Sequence, residues 1–340
     1  MKMNLSTKPK VLSLFSGCGG LDLGFHQSGF DIVACLEIDK PSCETMTANL
    51  GSHLSSTTKI HNKDITTTQP AELSLSDVDF IIGGPPCQSF SAAGRRAGGV
   101  HGVNDTRGSL FWYYCKFVDF YRPKGFLFEN VKGILQANNS SDWELVKSSF
   151  VELGYRLNFA VLDAADYGVP QHRERVILVG CRQDVGRDFK FPQPTHGPRG
   201  RITDSYVTPL MAFEDISDPN EQKHKINGKY GELIPDIPAG MNYSYYTEKL
   251  GHPNPKFAWR SKFSGFLYKL PKDQPSKTLV ASPGKYDGPF HWHNRKLTVP
   301  ELQRIQSFPG DFVFPENTGQ AIKQIGNSVA PKLAFELAKA

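Results

Sequence analysis

Five short apolar runs constrain this chain more than any other feature. They are VLSLF (11–15), DIVACLEID (31–39), VDFIIGG (78–84), KGFLFENV (124–131) and RVILVG (175–180). Between them lie stretches with helical spacing: LDLGFHQSG, a segment opened by Pro41, SLFWYYCKFVDFY (109–121) and SDWELVKSSFVELG (141–154). Strands of nearly continuous apolar character are buried on both faces, and strands alternating with helices connect in parallel. The pattern predicts an α/β fold built on a mostly parallel sheet with helices on both faces. After Cys181 the texture changes. To about Asn294 the chain is rich in Pro, Gly, Tyr, Phe and Lys and has little helical periodicity. Then RKLTVPELQRIQSF (295–308) returns to helix spacing, and PKLAFELAKA closes the chain as a helix. The expected organisation is a large domain over 1–181 and 318–340, a smaller irregular domain over 182–294 and a hinge segment over 295–317.

Composition removes several classes of protein. No apolar run approaches the ~20 residues a membrane helix needs. The opening MKMNLSTKPK lacks the apolar core of a secretory signal, which predicts a cytoplasmic protein. Cys18, Cys35, Cys43, Cys87, Cys115 and Cys181 are scattered, with no CxxC pair and no clustered histidines. That spacing supports neither a disulfide framework nor a metal site. His291 and His293 alternate, but two ligands without a third read as surface residues. A net charge of +5 is compatible with a nucleic-acid partner.

In open α/β sheets ligands bind beyond the carboxyl ends of the strands. The first strand leads into FSGCGGLDLGF (15–25), where glycines let backbone approach a ligand at a helix start. The second strand delivers Glu37 about 20 residues on, where an acid can hold ribose hydroxyls. Asp64, at a third successive strand end with Ile65 beside it, can accept from an adenine amino group while the isoleucine packs on the ring. The glycines fall as GxGG rather than GxGxxG, which favours an adenosyl ligand without a pyrophosphate, such as S-adenosylmethionine.

GGPPCQSFS (83–91) puts Cys87 at the next strand end, behind two prolines that fix their own φ angles. A thiol on a stiff loop at a ligand edge is a candidate nucleophile, since structural cysteines sit mostly within buried elements. FENV (128–131) brings Glu129 out of an apolar run, which predicts a raised pKa suited to proton donation. QHRERV (171–176) places Arg173 and Arg175 at alternate positions entering a strand, hence on one face, with Glu174 opposite.

FSGCGGLDLGF, GGPPCQSFS, FENV, QHRERVILVG and QIGNSVAP (324–331) occur in this order, and with them the chain resembles the cytosine-5 DNA methyltransferases, particularly the compact enzymes of bacterial restriction–modification systems. The resemblance covers nearly all of 11–340 except about 182–294. It implies a Rossmann-like S-adenosylmethionine-dependent methyltransferase sheet with an irregular target-recognition domain inserted before the C-terminal return. It implies that Cys87 adds to ring carbon 6 of cytosine, that Glu129 holds ring nitrogen 3 and the exocyclic amine, and that Arg175 contacts the base oxygen, with Arg173 beside it in the catalytic set. Carbon 5 then takes the methyl group, loses a proton, and Cys87 is eliminated. The implied cofactor contacts are Phe15, Gly17, Gly19, Leu21, Glu37, Ile38, Asp64, Ile65, Pro85, Leu110, Asn327, Ser328 and Val329. Some relatives carry an aromatic residue where this chain has Ile38.

A base stacked in a duplex must be extruded before such chemistry. The segment 89–105 reads as a closing lid, with Gln88, Ser89, Ser91, Arg95 and Arg96 as DNA contacts. In the recognition region Lys256, Arg260 and Lys262 are interleaved with aromatics, some of which must build the local core, and HWHNR (291–295) adds donors. The expected partner is double-stranded DNA, bound by a monomer. A cognate restriction endonuclease acting separately and a solitary enzyme are both compatible. Two other readings compete: a transfer-RNA cytosine-5 methyltransferase, whose branch signature is not recognised here, and a non-catalytic DNA-binding homologue, which would lack Cys87, Glu129 or part of the glycine turn.

Overall fold

The computed structural model describes residues 8–86, 110–198, 204–217 and 224–340. The chain divides into two compact units. The first runs to Asp163, resumes over Glu174–Gln193 and includes Leu333–Ala340; the second comprises Ala164–Arg173 and Pro194–Lys332.

The first unit is built on seven strands: β1 (Lys10–Leu14), β2 (Asp31–Glu37), β3 (Lys59–Asn62), β4 (Phe80–Gly83), β5 (Gly125–Val131), β6 (Tyr155–Asp163) and β7 (Glu174–Arg182). Their order in the sheet is β3-β2-β1-β4-β5-β7-β6. Strands β1 to β5 are parallel to their neighbours, whereas β7 pairs antiparallel with both β5 and β6. The five apolar runs all became strands. Of the other two, β3 was expected only through the strand end at Asp64 and β6 was missed; both are the sheet's edges. Edge strands bury less, and their residues are mostly half-buried or exposed, so they carry no continuous apolar run.

Successive residues of β1 and β4 are buried, so both faces are covered. On one face α3 (Leu110–Tyr121) and α4 (Ser141–Glu152) pack Phe111, Tyr114, Phe117, Trp143 and Phe150 onto Leu12, Leu14, Ile81, Phe126 and Phe128. The Phe126 and Phe150 rings lie 4.1 Å apart between centroids, and truncating either to Ala would cost about 3–5 kcal/mol. The Tyr114 hydroxyl, fully buried, donates to the carbonyls of Leu127 and Ile81 at 2.9 and 3.2 Å, which satisfies it. On the other face, Cys35 of β2 donates its thiol proton to Asp22 of α1 (Gly20–Gln27) at 3.3 Å. Helix α2 (Lys40–Ala48) starts where Asp39 accepts from the Ser42 amide at 3.1 Å, with Pro41 in the first turn.

The direction of the strands positions the site. Because β1 to β5 run parallel, their carboxyl ends share one edge, and the strand order reverses between β1 and β4, where such sheets bind ligands. The antiparallel β7 brings its first residues to that same edge.

The second unit has little regular structure. Its helices are α5 (Pro209–Ala212), α6 (Val299–Ile305), α7 (Thr318–Asn327) and the start of α8 (Pro331–Lys339), whose residues from Leu333 on belong to the first unit. Among the described residues two apolar clusters lie in it, one around Leu270, Leu279, Leu302, Ile305 and Ile325, the other around Ile234, Tyr243, Tyr246, Leu267 and Phe290. Helix α6 is shorter than the spacing from Arg295 predicted. Pro300 cannot sit in a helix interior, so the helix begins beside it, capped by Thr298 and Glu301. Residues 295–332, divided in the sequence reading between a hinge and a catalytic return, lie within this second unit. Among the described residues no helix is long and apolar enough to cross a membrane.

Candidate active site

The turn after β1 is held in a shape that bulky backbone would resist. Phe15 and Gly17 have left-handed φ values of 55° and 56°, and the Phe15 amide donates to the Leu36 carbonyl at 3.0 Å. The Gly17 amide donates to Oε2 of Glu37 and the Asp39 amide to Oε1, both at 2.8 Å. Glu37 is therefore fixed by backbone, and each oxygen keeps a lone pair for a further donor such as a ribose hydroxyl. Asp64 follows β3 and accepts the Thr66 amide at 2.8 Å. Of the two isoleucines expected against an adenine ring, Ile38 is 64% exposed at the end of β2, whereas Ile65 is 5% exposed and part of the core. Gly19 precedes α1, Leu21 is buried within it, and Leu110 starts α3, packed against the core.

Beyond β4 the chain runs through Gly84, Pro85 and Pro86. Cys87, Gln88, Ser89, Ser91, Arg95, Arg96 and the segment expected as a lid lie outside the described residues. What grips their approach is strand β5. A Cβ on Gly84 would stand 2.5 Å from Oε2 of Glu129, so only glycine allows this approach with the carboxylate in place. The Asn130 side chain, 3% exposed, donates to the Pro85 carbonyl at 3.0 Å and accepts the Val131 amide at 2.9 Å. Nε of Arg175 lies 2.9 Å from Oε1 of Glu129. The ladder explains the pairing: Ile177 faces Glu129 across β5 and β7, and Arg175 faces Val131, which makes Glu129 and Arg175 diagonal neighbours on one face. Glu174 points the other way and pairs with Lys132 at 2.8 Å. The expected carboxylate amid apolar residues is thus met by a guanidinium.

The second unit holds the remaining candidates. Arg173 precedes β7 rather than sharing a strand face with Arg175. It is 2% exposed, and its guanidinium donates to the carbonyls of Gly326 and Leu279 at 2.8 and 3.3 Å. Asn327 ends α7, Ser328 caps it and Val329 follows. Lys256, Arg260 and Lys262 are exposed. Of the interleaved aromatics, Tyr268 is buried and Phe257 and Phe266 pack against a core cluster, whereas Trp259 and Phe263 are 49% and 44% exposed. HWHNR, read as surface donors, needs correction. Arg295 is 2% exposed and grips Glu301 through two nitrogens at 2.9 and 2.7 Å, while His291 is 3% exposed with Nε2 at 3.5 Å from the same carboxylate. Burial alone would raise the Glu301 pKa, but the Arg295 guanidinium and the Thr298 amide hold it below the usual carboxylate range.

A family model for the C-5 cytosine-specific DNA methylases matches residues 9–340. The chain belongs to that family. The methylase is 37% identical over 338 residues to the type II methyltransferase M.NgoFVII of Neisseria gonorrhoeae, covering 98% of this chain and 86% of that one. It is 33% identical to the type II methyltransferase M.SacI of Streptomyces achromogenes, covering 97% and 92%. A crystal structure of a putative DNA modification methyltransferase encoded within an E. coli prophage superposes with a TM-score of 0.67 at 27% identity, over 98% of each chain.

In the methylase burial disfavours the thiolate form at all five described cysteines. Burial pushes Cys18 up to about 12 and Cys43 up to about 11, and raises Cys35, Cys115 and Cys181 as well. Two residues escaped the sequence reading. Asn130 carried a signal, since FENV sets two polar side chains side by side in an apolar strand. Lys249, whose Nζ stands 3.6 Å from the Trp259 ring centroid, carried none, because it lies ten positions from its partner.

Proposed function

We propose that this methylase transfers a methyl group from S-adenosylmethionine to carbon 5 of a cytosine flipped out of a short specific DNA duplex site, through a covalent bond between Cys87 and ring carbon 6. The observation that carries the proposal is the Glu129–Arg175 pair set against Gly84, two residues before Pro86 and at the same sheet edge as Gly17 and Glu37. The residues at that edge suit the cofactor: Glu37 offers oxygens to a ribose, Asp64 an acceptor to an adenine amine, and Ile38 an exposed apolar surface for the ring.

Carbon 5 of cytosine is a poor nucleophile. Addition of the Cys87 thiolate to carbon 6 places electron density on carbon 5, and a proton that Glu129 delivers to ring nitrogen 3 offsets the negative charge that develops on the ring. Arg175 orients Glu129 and reaches the base oxygen. Once carbon 5 has taken the methyl group from the sulfonium, loss of its proton to a base lets the thiolate leave and restores the aromatic ring. The 182–294 region, with Lys256, Arg260 and Lys262, supplies target recognition. A cognate restriction endonuclease acting separately and a solitary enzyme are both compatible with this activity.

Incubation with duplex DNA and labelled S-adenosylmethionine, followed by bisulfite mapping, tests the reading. Label should appear in DNA at one short sequence, and Cys87→Ala should abolish it. Transfer retained in that variant overturns the covalent route, and labelling of transfer RNA but not DNA overturns the substrate.

A further inference from the structure

Beneath the turn that follows β1 lies a buried polar cluster drawn wholly from the first unit. Ser13 of β1 and Cys35 of β2 are register partners in adjacent strands. Both hydrogen-bond the carboxylate of Asp22 in α1, Cys35 by donating its thiol proton to Oδ1 at 3.3 Å. The Ser16 hydroxyl donates to Oγ of Ser13 at 2.9 Å, which leaves the Ser13 proton for Asp22. Ser13, Asp22 and Cys35 are 0% exposed. Oδ2 of Asp22 is buried with no hydrogen-bond partner among the described residues. An apolar side chain here would avoid that desolvation, so the carboxylate is kept at a cost in stability. What the cluster grips is Ser16, which stands between Phe15 and Gly17, both left-handed. Strain is greatest at Phe15, which is not a glycine, and the same turn aims the Gly17 amide at Glu37.

We infer that Ser13 and Asp22 are positioning residues, acting through Ser16, that hold the turn from Phe15 to Gly19 in the shape that receives S-adenosylmethionine. The inference rests on the proposed cofactor reading and adds to it residues that touch no ligand. An ionised Asp22 fixes the direction of the chain, because a carboxylate only accepts. Cys35 and Ser13 then donate to it, and Ser13 keeps its lone pairs for Ser16. A protonated Asp22 can donate to Ser13 instead, whose own proton turns toward Ser16, and the Ser16 proton loses its acceptor. Burial places this change at about 6, against the opposing pull of the hydrogen bonds from Ser13 and Cys35. The other titratable groups facing Asp22 are Cys18 in the turn and Cys35 and Glu37 of β2, and burial keeps both thiols protonated past neutral pH. Cofactor affinity should therefore be full above about pH 6 and fall as pH drops through it, the reverse of this group's effect on stability.

The test is calorimetric titration with S-adenosylhomocysteine between pH 5 and 7.5, together with steady-state kinetics. At the upper pH, Ser13→Ala should bind it roughly tenfold more weakly and KM for S-adenosylmethionine should rise in step, while KM for DNA and kcat at saturating cofactor stay within about threefold. Adding Ser16→Ala to that variant should weaken binding little further, since both changes remove the same bond. Wild-type affinity should fall about fivefold from the upper pH to the lower, and less than about twofold in Asp22→Asn. Val146→Ala, elsewhere in the core of this unit, should lower the melting temperature without loss of affinity. Wild-type affinity in Ser13→Ala overturns the inference, as do parallel pH curves for wild type and Asp22→Asn, or an equal loss in Val146→Ala. A wild-type protein that fails to bind S-adenosylhomocysteine overturns the cofactor reading and the inference with it.

Discussion

Nε of Arg175 and Oε1 of Glu129 stand 2.9 Å apart with both side chains 13% exposed, joined across two antiparallel strands. Such a pair is held mainly by charge and is screened little by solvent, so either residue alone is misplaced. Glu129→Gln and Arg175→Ala should each lower kcat by about 10²–10⁴-fold. The double variant should lose much less than the product of the two. Single-turnover rates on one duplex measure all three, and strictly multiplicative losses would separate the two residues.

Gly84 is a second point of leverage on the same carboxylate. Gly84→Ala places a methyl group 2.5 Å from where Oε2 of Glu129 now lies, so the side chain must swing away. Activity should fall by at least tenfold while the melting temperature changes by only a few degrees, because the displaced atom is the far end of a side chain. A drop in melting temperature comparable to that of Phe150→Ala would show instead that the backbone had moved.

Burial raises the Asp22 carboxyl to about 6 from an ordinary 3.8. A carboxyl raised in the folded state binds its proton more tightly there than in the unfolded chain. Stability from this group is full below pH 4 and falls as pH rises from about 4 to about 6. The loss is on the order of 3 kcal/mol. Asp22→Asn should flatten that part of the curve. Urea titrations of both proteins between pH 4 and 7 give the difference, and parallel curves would refute it.

Trp259 and Lys249 form an exposed cation–aromatic pair in the proposed recognition region. Neither supports the core, so Trp259→Ala should leave the melting temperature unchanged and weaken DNA binding roughly fivefold or more. Lys249→Ala should reduce the slope of log affinity against log salt by about one if the ammonium meets a phosphate. Fluorescence anisotropy over a salt series reads both. Unaltered binding in both variants would remove this face from the DNA contact.

How much of this was legible depended on how local each signal is. The glycine turn and Glu37 could be read because strand ends announce themselves and the spacing is fixed by one crossover. Strand β3 was legible only through its end at Asp64, and β6 not at all, since an edge strand needs no continuous apolar run. Glu129 and Arg175 were legible as types, whereas their pairing needed the register between β5 and β7. His291 and Arg295 misled because a polar residue shows its buried partner only when the chain is folded, here around Glu301. The hold of Asn130 on Pro85 depends on two adjacent strands and was invisible for the same reason.

The five quiet thiols have a practical consequence. At neutral pH the described cysteines are held as protonated sulfhydryls, four of them shut away from solvent. On the proposed covalent route, a mild alkylating reagent then finds in Cys87 the sulfur with a chemical reason to respond. Under that proposal the unmutated protein would carry its own active-site titrant, and the number of labels per chain would count working molecules in any preparation.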